Sequence, residues 1–299
     1  MSGGETLDFS FRPKGPFDLE NQSQYFGGWL SPEGRPDAIA MAFPVEGWTD
    51  SCAVILSQDT EGVIQGIVHG AGDRSAKAKD QALACLSLDV SGEQWPRLAG
   101  SDPVIGRMQD KYHYLRPVLF HSPYEAAAGF IIGQRISIKQ RQAIMKRMAK
   151  DLGGKIAVHG EDHFAFPLPQ ELLKLHTYAG VSQEKIDRLH GVAQAALDGM
   201  LDRNTLRAQS IEDALAELQT LRGIGPFFAE GILFRGAGIV DEVTNDALTP
   251  YAVQQAYELK DLPGRDQLEE IASRWVPYRM WATVLLHVWL RREKGLPKK

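Results

Sequence analysis

The sequence predicts an α+β protein: an N-terminal antiparallel β-sheet domain with a helix, followed by an all-α domain built around a helix–hairpin–helix. Three observations carry this. Short apolar runs bounded by Pro, Gly or Asp occupy the first hundred residues, as in antiparallel strands. From residue 113 onward, apolar residues recur at helical spacing behind Ser and Pro starts. And Leu221-Arg222-Gly223-Ile224-Gly225-Pro226 joins two such helices through a turn that only a glycine backbone makes without a clash. The division falls between residues 1–112, mixed α+β, and residues 113–299, helical.

In the N-terminal part, Leu7-Asp8-Phe9-Ser10-Phe11 alternates apolar and polar residues. Residues 38–43, 52–56 and 63–68 are further short apolar runs, and the Ala- and Lys-rich segment 75–88 reads as a helix on one face of the sheet. His69 and Asp73 share the Gly-rich loop HGAGD, where a lone pair of this kind is a structural feature. Pro96, Asp102-Pro103 and Leu115-Arg116-Pro117 punctuate the crossing to the second domain.

Ser122 caps and Pro123 opens a helix whose apolar face is Ala126, Phe130 and Ile131, broken by Gly133. Ser137 caps the next, with Ile138, Ile144 and Met148 toward the core, and Lys139, Arg141, Lys146, Arg147 and Lys150 carrying the local positive charge. Phe166-Pro167-Leu168-Pro169 punctuates, and helices follow near 170–176 and 182–199, the second capped by Ser182. Ser210 caps the first helix of the hairpin, with Ile211, Leu215 and Leu218 inward. Phe227, Ala229 and Leu233 continue the second, and Gly236 marks its stop. Asp246 stands at the start of a helix from Ala247 to about Leu259, where N-capping is the common role of an Asp. The last helices carry Arg274-Trp275-Val276-Pro277-Tyr278-Arg279 and Trp281 through Trp289; His287 reads as a hydrogen-bonded core histidine. The tail after Arg291 is basic and expected to fray.

Composition narrows the function. A chain of 299 residues that is 43% hydrophobic supports a sizeable core, enough for two or three packed subdomains. No run approaches a membrane span, and MSGGETLDFSF has neither the basic nor the apolar region of a secretory signal. Cys52 and Cys85 alone cannot hold an iron–sulfur cluster or a zinc ion, and no metal site is expected. The expectation is a reducing setting: the cytoplasm with the bacterial nucleoid, or the nucleus in a eukaryote, and not secretion. The net charge of −5 speaks weakly against nucleic acid, but residues 101–160 carry 10 basic against 4 acidic residues where residues 1–100 carry 7 against 14. A local basic face on an acidic protein suits phosphate, and it also suits an ordinary solvated helix.

A hairpin helix start exposes backbone N–H groups to a phosphate irrespective of base sequence, although an αα-turn that merely packs two helices has the same pattern. Followed about twenty residues on by Asp246, the motif resembles the helix–hairpin–helix DNA glycosylases, and within them DNA-3-methyladenine glycosylase II. Two further stretches are similar to that family: Ile131 to Ser137, around Gly133-Gln134, and the phrase RWxPYRxWA…LLHxW at the C-terminus. Phe166-Pro167, Gly180-Val181-Ser182 and PFDL at 16–19 match as well.

The resemblance implies Asp246 as the catalytic carboxylate, with Asp241 and Glu242 as rivals. It implies a base pocket of Gln134, Phe227 and Trp289, a duplex wedge at Arg135, and DNA contacts from Leu221, Gly223, Gly225 and Lys139. An arginine wedge departs from the apolar wedge usual in alkylation enzymes; its guanidinium plane can still stack on bases. Bifunctional relatives carry a lysine where this chain has Phe227, which implies base removal by water without strand cleavage. Gly231, one turn on, replaces a pocket tyrosine and implies a roomier pocket. The implied activity is hydrolysis of the N-glycosidic bond of 3-methyladenine or 7-methylguanine in duplex DNA by a monomer. It needs no cofactor, and the resemblance allows a monovalent cation on the hairpin carbonyls. The alternatives are a glycosylase for oxidised or deaminated bases and a non-catalytic DNA-binding protein.

Overall fold

The computed structural model describes residues 6–25, 38–244 and 246–295. Four strands, β1 (Thr6–Phe11), β2 (Ala38–Pro44), β3 (Ser51–Gln58) and β4 (Ile64–His69), form one antiparallel sheet in the order β1-β4-β3-β2. Period-two alternation places Met41, Phe43, Val54, Leu56, Ile64 and Val68 in a common core. That core is closed by the helices α1 (Leu19–Tyr25) and α2 (Ser75–Cys85) through Leu19, Ala78 and Ala82.

The helical part starts earlier than the sequence division. Helices α3 (Leu98–Ser101) and α4 (Pro103–Tyr112) lie before residue 113, yet Leu98, Ile105, Met108 and Tyr112 pack into the helical core. Asp102 caps α4 by accepting from Val104 and Ile105 N–H. Helices α5 (Pro123–Gly133) and α6 (Ile138–Leu152) begin at the predicted caps, and Ser137 with Gln140 makes a full capping box. A small hairpin, β5 (Lys155–Val158) with β6 (Glu161–Phe164), has no periodic signal in the sequence and joins the two parts by packing on β2 and β3.

Helices α7 (Pro169–Leu173), α8 (Gln183–Leu197), α9 (Arg203–Ala208), α10 (Ile211–Gln219) and α11 (Pro226–Ile232) follow. The last three are α12 (Leu248–Ala256), α13 (Arg265–Ala272) and α14 (Arg279–Trp289). The second hairpin helix does not stop at Gly236. It passes into a π-turn, Leu233–Ala237, and ends at Gly238 with φ +82°. Gly236 matters instead for packing. A Cβ there would lie 2.9 Å from Pro123 Cα, so its smallness lets α5 approach closely.

Ile138 also departs from expectation. It is 68% exposed while Ile144 and Met148 are buried, because it sits in the first turn of α6, ahead of the part of the helix that meets the core. The aromatic C-terminal phrase is scaffold: Trp275 and Trp281 are fully buried, and Trp275 Nε1 donates to Asp102 Oδ2. The last four residues of the basic tail, 296–299, lie outside the described residues. Among the described residues, no helix is long and apolar enough to cross a membrane, and no three His, Cys, Asp or Glu side chains are placed to share a metal ion.

Candidate active site

The hairpin forms as its residues dictate. Gly223 has φ +89°, a conformation open to glycine, and Ile224 is buried between the helices as the anchor of the turn. Gly225 is exposed, with open space where a Cβ would stand, and it accepts from the Phe228 and Ala229 N–H groups at the start of α11. Pro226 is the first residue of that helix. Leu221 is half-buried beside the turn, and Lys139 is exposed on the first turn of α6.

The structure brings the Gln134 turn to this hairpin. Gln134 ends α5, and its Nε2 donates to the Gly223 carbonyl at 2.8 Å. Its Oε1 accepts from the Arg188 guanidinium on α8. Lys185, one turn earlier on α8, donates to the carbonyls of Ile132 and Gln134 at 2.8 and 2.7 Å, so the C-terminal carbonyls of α5 are satisfied by a cation. Arg135 then takes φ +58°, in the left-handed region, and is exposed. A non-glycine residue held there persists only where its surroundings impose it, and such residues concentrate at functional sites. The Gln134 amide thus holds a protein partner at each end, which fixes the turn.

Phe227 projects from the first turn of α11 and is 57% exposed. Its neighbour Phe228 stacks on Phe130 of α5, with ring centroids 5.0 Å apart and planes at 28°. The same Phe130 ring covers Gly231, whose added Cβ would meet Phe130 Cζ at 2.4 Å. The space expected from the missing tyrosine is therefore filled from a different helix, and Gly231 does not enlarge a pocket.

Asp246 is both a cap and a held carboxylate. Its Oδ1 accepts from the Leu248 and Thr249 N–H groups at 2.8 and 2.9 Å. Its Oδ2 accepts from the Thr244 and Thr249 hydroxyls at 2.5 and 2.7 Å. Thus N-capping of α12, the common role of such an Asp, coexists with a fixed orientation that a catalytic carboxylate needs. Burial works against ionisation, but His287, the two hydroxyls and the Thr249 N–H outweigh it and hold the carboxyl below its usual 3.8. Its rivals are engaged elsewhere. Asp241 pairs with Arg279 at 3.5 Å. Glu242 lines a cavity of about 230 Å³ with Arg265 and Arg279, and burial raises its pKa.

His287, which the sequence pattern marks as scaffold, belongs to this cluster. Its Nε2 lies 3.0 Å from Thr249 Oγ1 and 3.7 Å from Asp246 Oδ1. The Thr249 hydroxyl gives its proton to Asp246, so the ring nitrogen is the donor in the other contact. Burial pushes His287 down to about 4, with Arg291 and Arg235 adding to the effect and Asp246 opposing it. The ring is therefore neutral at pH 7. Because the unfolded chain takes up this proton near pH 6.5 and the native state does not, this group weakens the fold as pH drops from about 6.5 to about 4 and adds nothing further below that. The loss approaches about 3 kcal/mol at the lower end. Urea unfolding of the wild type and of His287→Gln between pH 7 and 4.5 checks this; the variant should show the shallower dependence.

Trp289 is not brought to this cluster. Two residues along a helix are about 200° apart, so Trp289 faces away from His287. It lines a groove of about 270 Å³ with Val104, Met108 and Tyr112 of α4, and Lys294 lies over its ring at 5.8 Å. Periodicity marks the apolar helix but does not tell which of its faces each neighbour takes.

No family model matches the chain. It is 24% identical over 207 residues to a DNA-3-methyladenine glycosylase of Bacillus subtilis, covering 67% of this chain and 68% of that protein. It is 30% identical over 172 residues to DNA-3-methyladenine glycosylase 2 of Escherichia coli, and the match spans only 56% of either protein. In structure it is similar to a 3-methyladenine DNA-glycosylase from Archaeoglobus fulgidus, with a TM-score of 0.76 and 20% identity over 96% of this chain and 100% of that one. By fold and by sequence, the chain is similar to DNA glycosylases. Among these, the relatives it is similar to are DNA-3-methyladenine glycosylases.

Proposed function

We propose that the protein is a monofunctional DNA glycosylase of base excision repair that removes alkylated purines, 3-methyladenine and 7-methylguanine, from duplex DNA. The observation that carries this reading is the ionised, four-fold hydrogen-bonded Asp246 in a chain whose hairpin carries Phe227 where a lyase would need an amine. A base in a duplex must be flipped out before its glycosidic bond can be reached, at a cost of a few kcal/mol. The exposed hairpin turn and the basic face of α6 hold phosphates, and Arg135 fills the vacated place in the stack.

Alkylation at N3 or N7 makes the purine a cationic leaving group. An exposed aromatic ring such as Phe227 favours it by about 0.5–2 kcal/mol. As the C1′–N bond breaks, its electron pair leaves with the base and positive charge develops on the sugar. Asp246 faces that charge as a fixed anion, and water adds to C1′ and loses a proton. With both carboxylate oxygens already accepting hydrogen bonds, electrostatic stabilisation is the stronger part of its role.

The test is base release from methylated duplex DNA, with direct strand breaks scored beside alkali-labile sites. Free 3-methyladenine or 7-methylguanine without direct breaks is the expected result. Direct breaks would require an amine nucleophile and overturn the monofunctional mechanism. Release confined to oxidised or deaminated bases would overturn the substrate class.

A further inference from the structure

The family resemblance allows a monovalent cation on the hairpin carbonyls, and the residues around Gly223 do not fit one. The Gly223 carbonyl already accepts from Gln134 Nε2 at 2.8 Å. The Arg188 side chain lies against the same glycine: a Cβ at Gly223 would meet Arg188 Cδ at 2.7 Å and Nε at 2.8 Å. One end of that guanidinium donates to Gln134 Oε1 and the other to Glu184 Oε1. The remaining Nε–H is buried without a hydrogen-bond partner. A free N–H on a fixed positive charge suits an acceptor or an anion and repels a cation. Lys185, one turn away and bonded to the Ile132 and Gln134 carbonyls, adds a second positive charge.

We propose that Arg188 and Gln134 form a clasp that takes the place of a bound monovalent cation, fixing the hairpin and the Arg135 turn to one another. Gln134 is the link in both directions: its amide N–H₂ holds the hairpin carbonyl, its amide oxygen is held by Arg188, and the next residue is the left-handed, exposed Arg135. Phosphate contact at Gly223 and Gly225 then fixes the register at which Arg135 enters the duplex. Gln134 and Arg188 are positioning residues. The inference rests on the proposed reading of the hairpin and Arg135 as DNA-contacting.

The experiment is binding of the full chain to a duplex with one abasic site and a neighbouring 2-aminopurine, whose fluorescence reports unstacking. With the wild type, affinity in KCl, NaCl and tetramethylammonium chloride at one ionic strength should agree within about twofold, since counterion release is then held constant. A loss of about tenfold or more on replacing K⁺ and Na⁺ overturns the clasp. Gln134→Ala and Arg188→Met should each weaken binding about tenfold and suppress the 2-aminopurine signal, with little change in Tm. The double variant Gln134→Ala/Arg135→Ala should bind no worse than the weaker single variant; penalties that multiply would mean independent sites and overturn the proposal. If the variants fail to fold, the cation exchange on the wild type still decides. Wild-type binding with multiplying penalties sinks the clasp alone, whereas no binding to any duplex in any salt sinks the functional reading and the clasp with it.

Discussion

Asp246→Asn should bind damaged duplex as the wild type does and release base about 10³-fold more slowly in single turnover, the size of effect seen when a preorganised electrostatic group is removed. The expectation follows from how the carboxylate is held. An asparagine oxygen in the place of Oδ1 keeps the Leu248 and Thr249 N–H bonds, so the start of α12 survives. On the other side an NH₂ replaces an acceptor, and the Thr244 and Thr249 hydroxyls turn from donating to accepting. Geometry is retained and the negative charge is lost, along with the stabilisation of charge on the sugar. Activity within about threefold of the wild type would mean that the carboxylate serves only as a cap. Parallel measurement on Asp241→Asn discriminates further, because that carboxylate is spent on Arg279 and its loss should leave base release nearly unchanged.

The parts of this site legible in the sequence are those set by local backbone chemistry. Gly223 with φ +89°, Pro226 at the helix start and the Ser137 capping box each follow from what one residue type permits in one conformation. Asp246 is legible as a cap from its place at the start of α12, and its catalytic role is what the family resemblance adds. What cannot be read depends on long-range packing. Thr249 and His287 are 38 residues apart and meet only when α12 and α14 pack. Arg188 reaches Gln134 across 54 residues from a helix whose pattern marks only its core face. In the sequence Phe130 is one more core residue, and its placement over Gly231 reverses the inference of a roomier pocket. The same limit applies to Trp289: the pattern names a helix as apolar without saying which neighbour owns which face.

Arg116→Met should cost about 3–5 kcal/mol of stability, the range expected when one member of a buried, hydrogen-bonded charge arrangement is removed. In the sequence Arg116 is a residue beside a proline in a connecting segment. In the fold it is fully buried and ties the two halves together. Its guanidinium donates to the carbonyls of Lys14, Pro16, Ser87 and Val90, and it lies 5.0 Å from the Trp281 ring. Burial lowers its pKa to about 10, so it stays charged at neutral pH. Methionine fills part of the volume and satisfies none of the four carbonyls, each of which then carries its own desolvation penalty. Lysine keeps the charge but cannot span carbonyls held by a planar fork, so Arg116→Lys should recover only part of the loss. In a chain of this size the methionine variant should melt roughly 10 °C lower. By contrast, Arg12→Ala, which removes an exposed pair with Glu61, should move Tm by no more than about 1 °C. Arg116 touches neither the hairpin nor Asp246, so the folded fraction of Arg116→Met should release base at the wild-type rate below its transition. Loss of activity without loss of stability would instead show that the packing of the N-terminal sheet against Trp281 sets the geometry of the site.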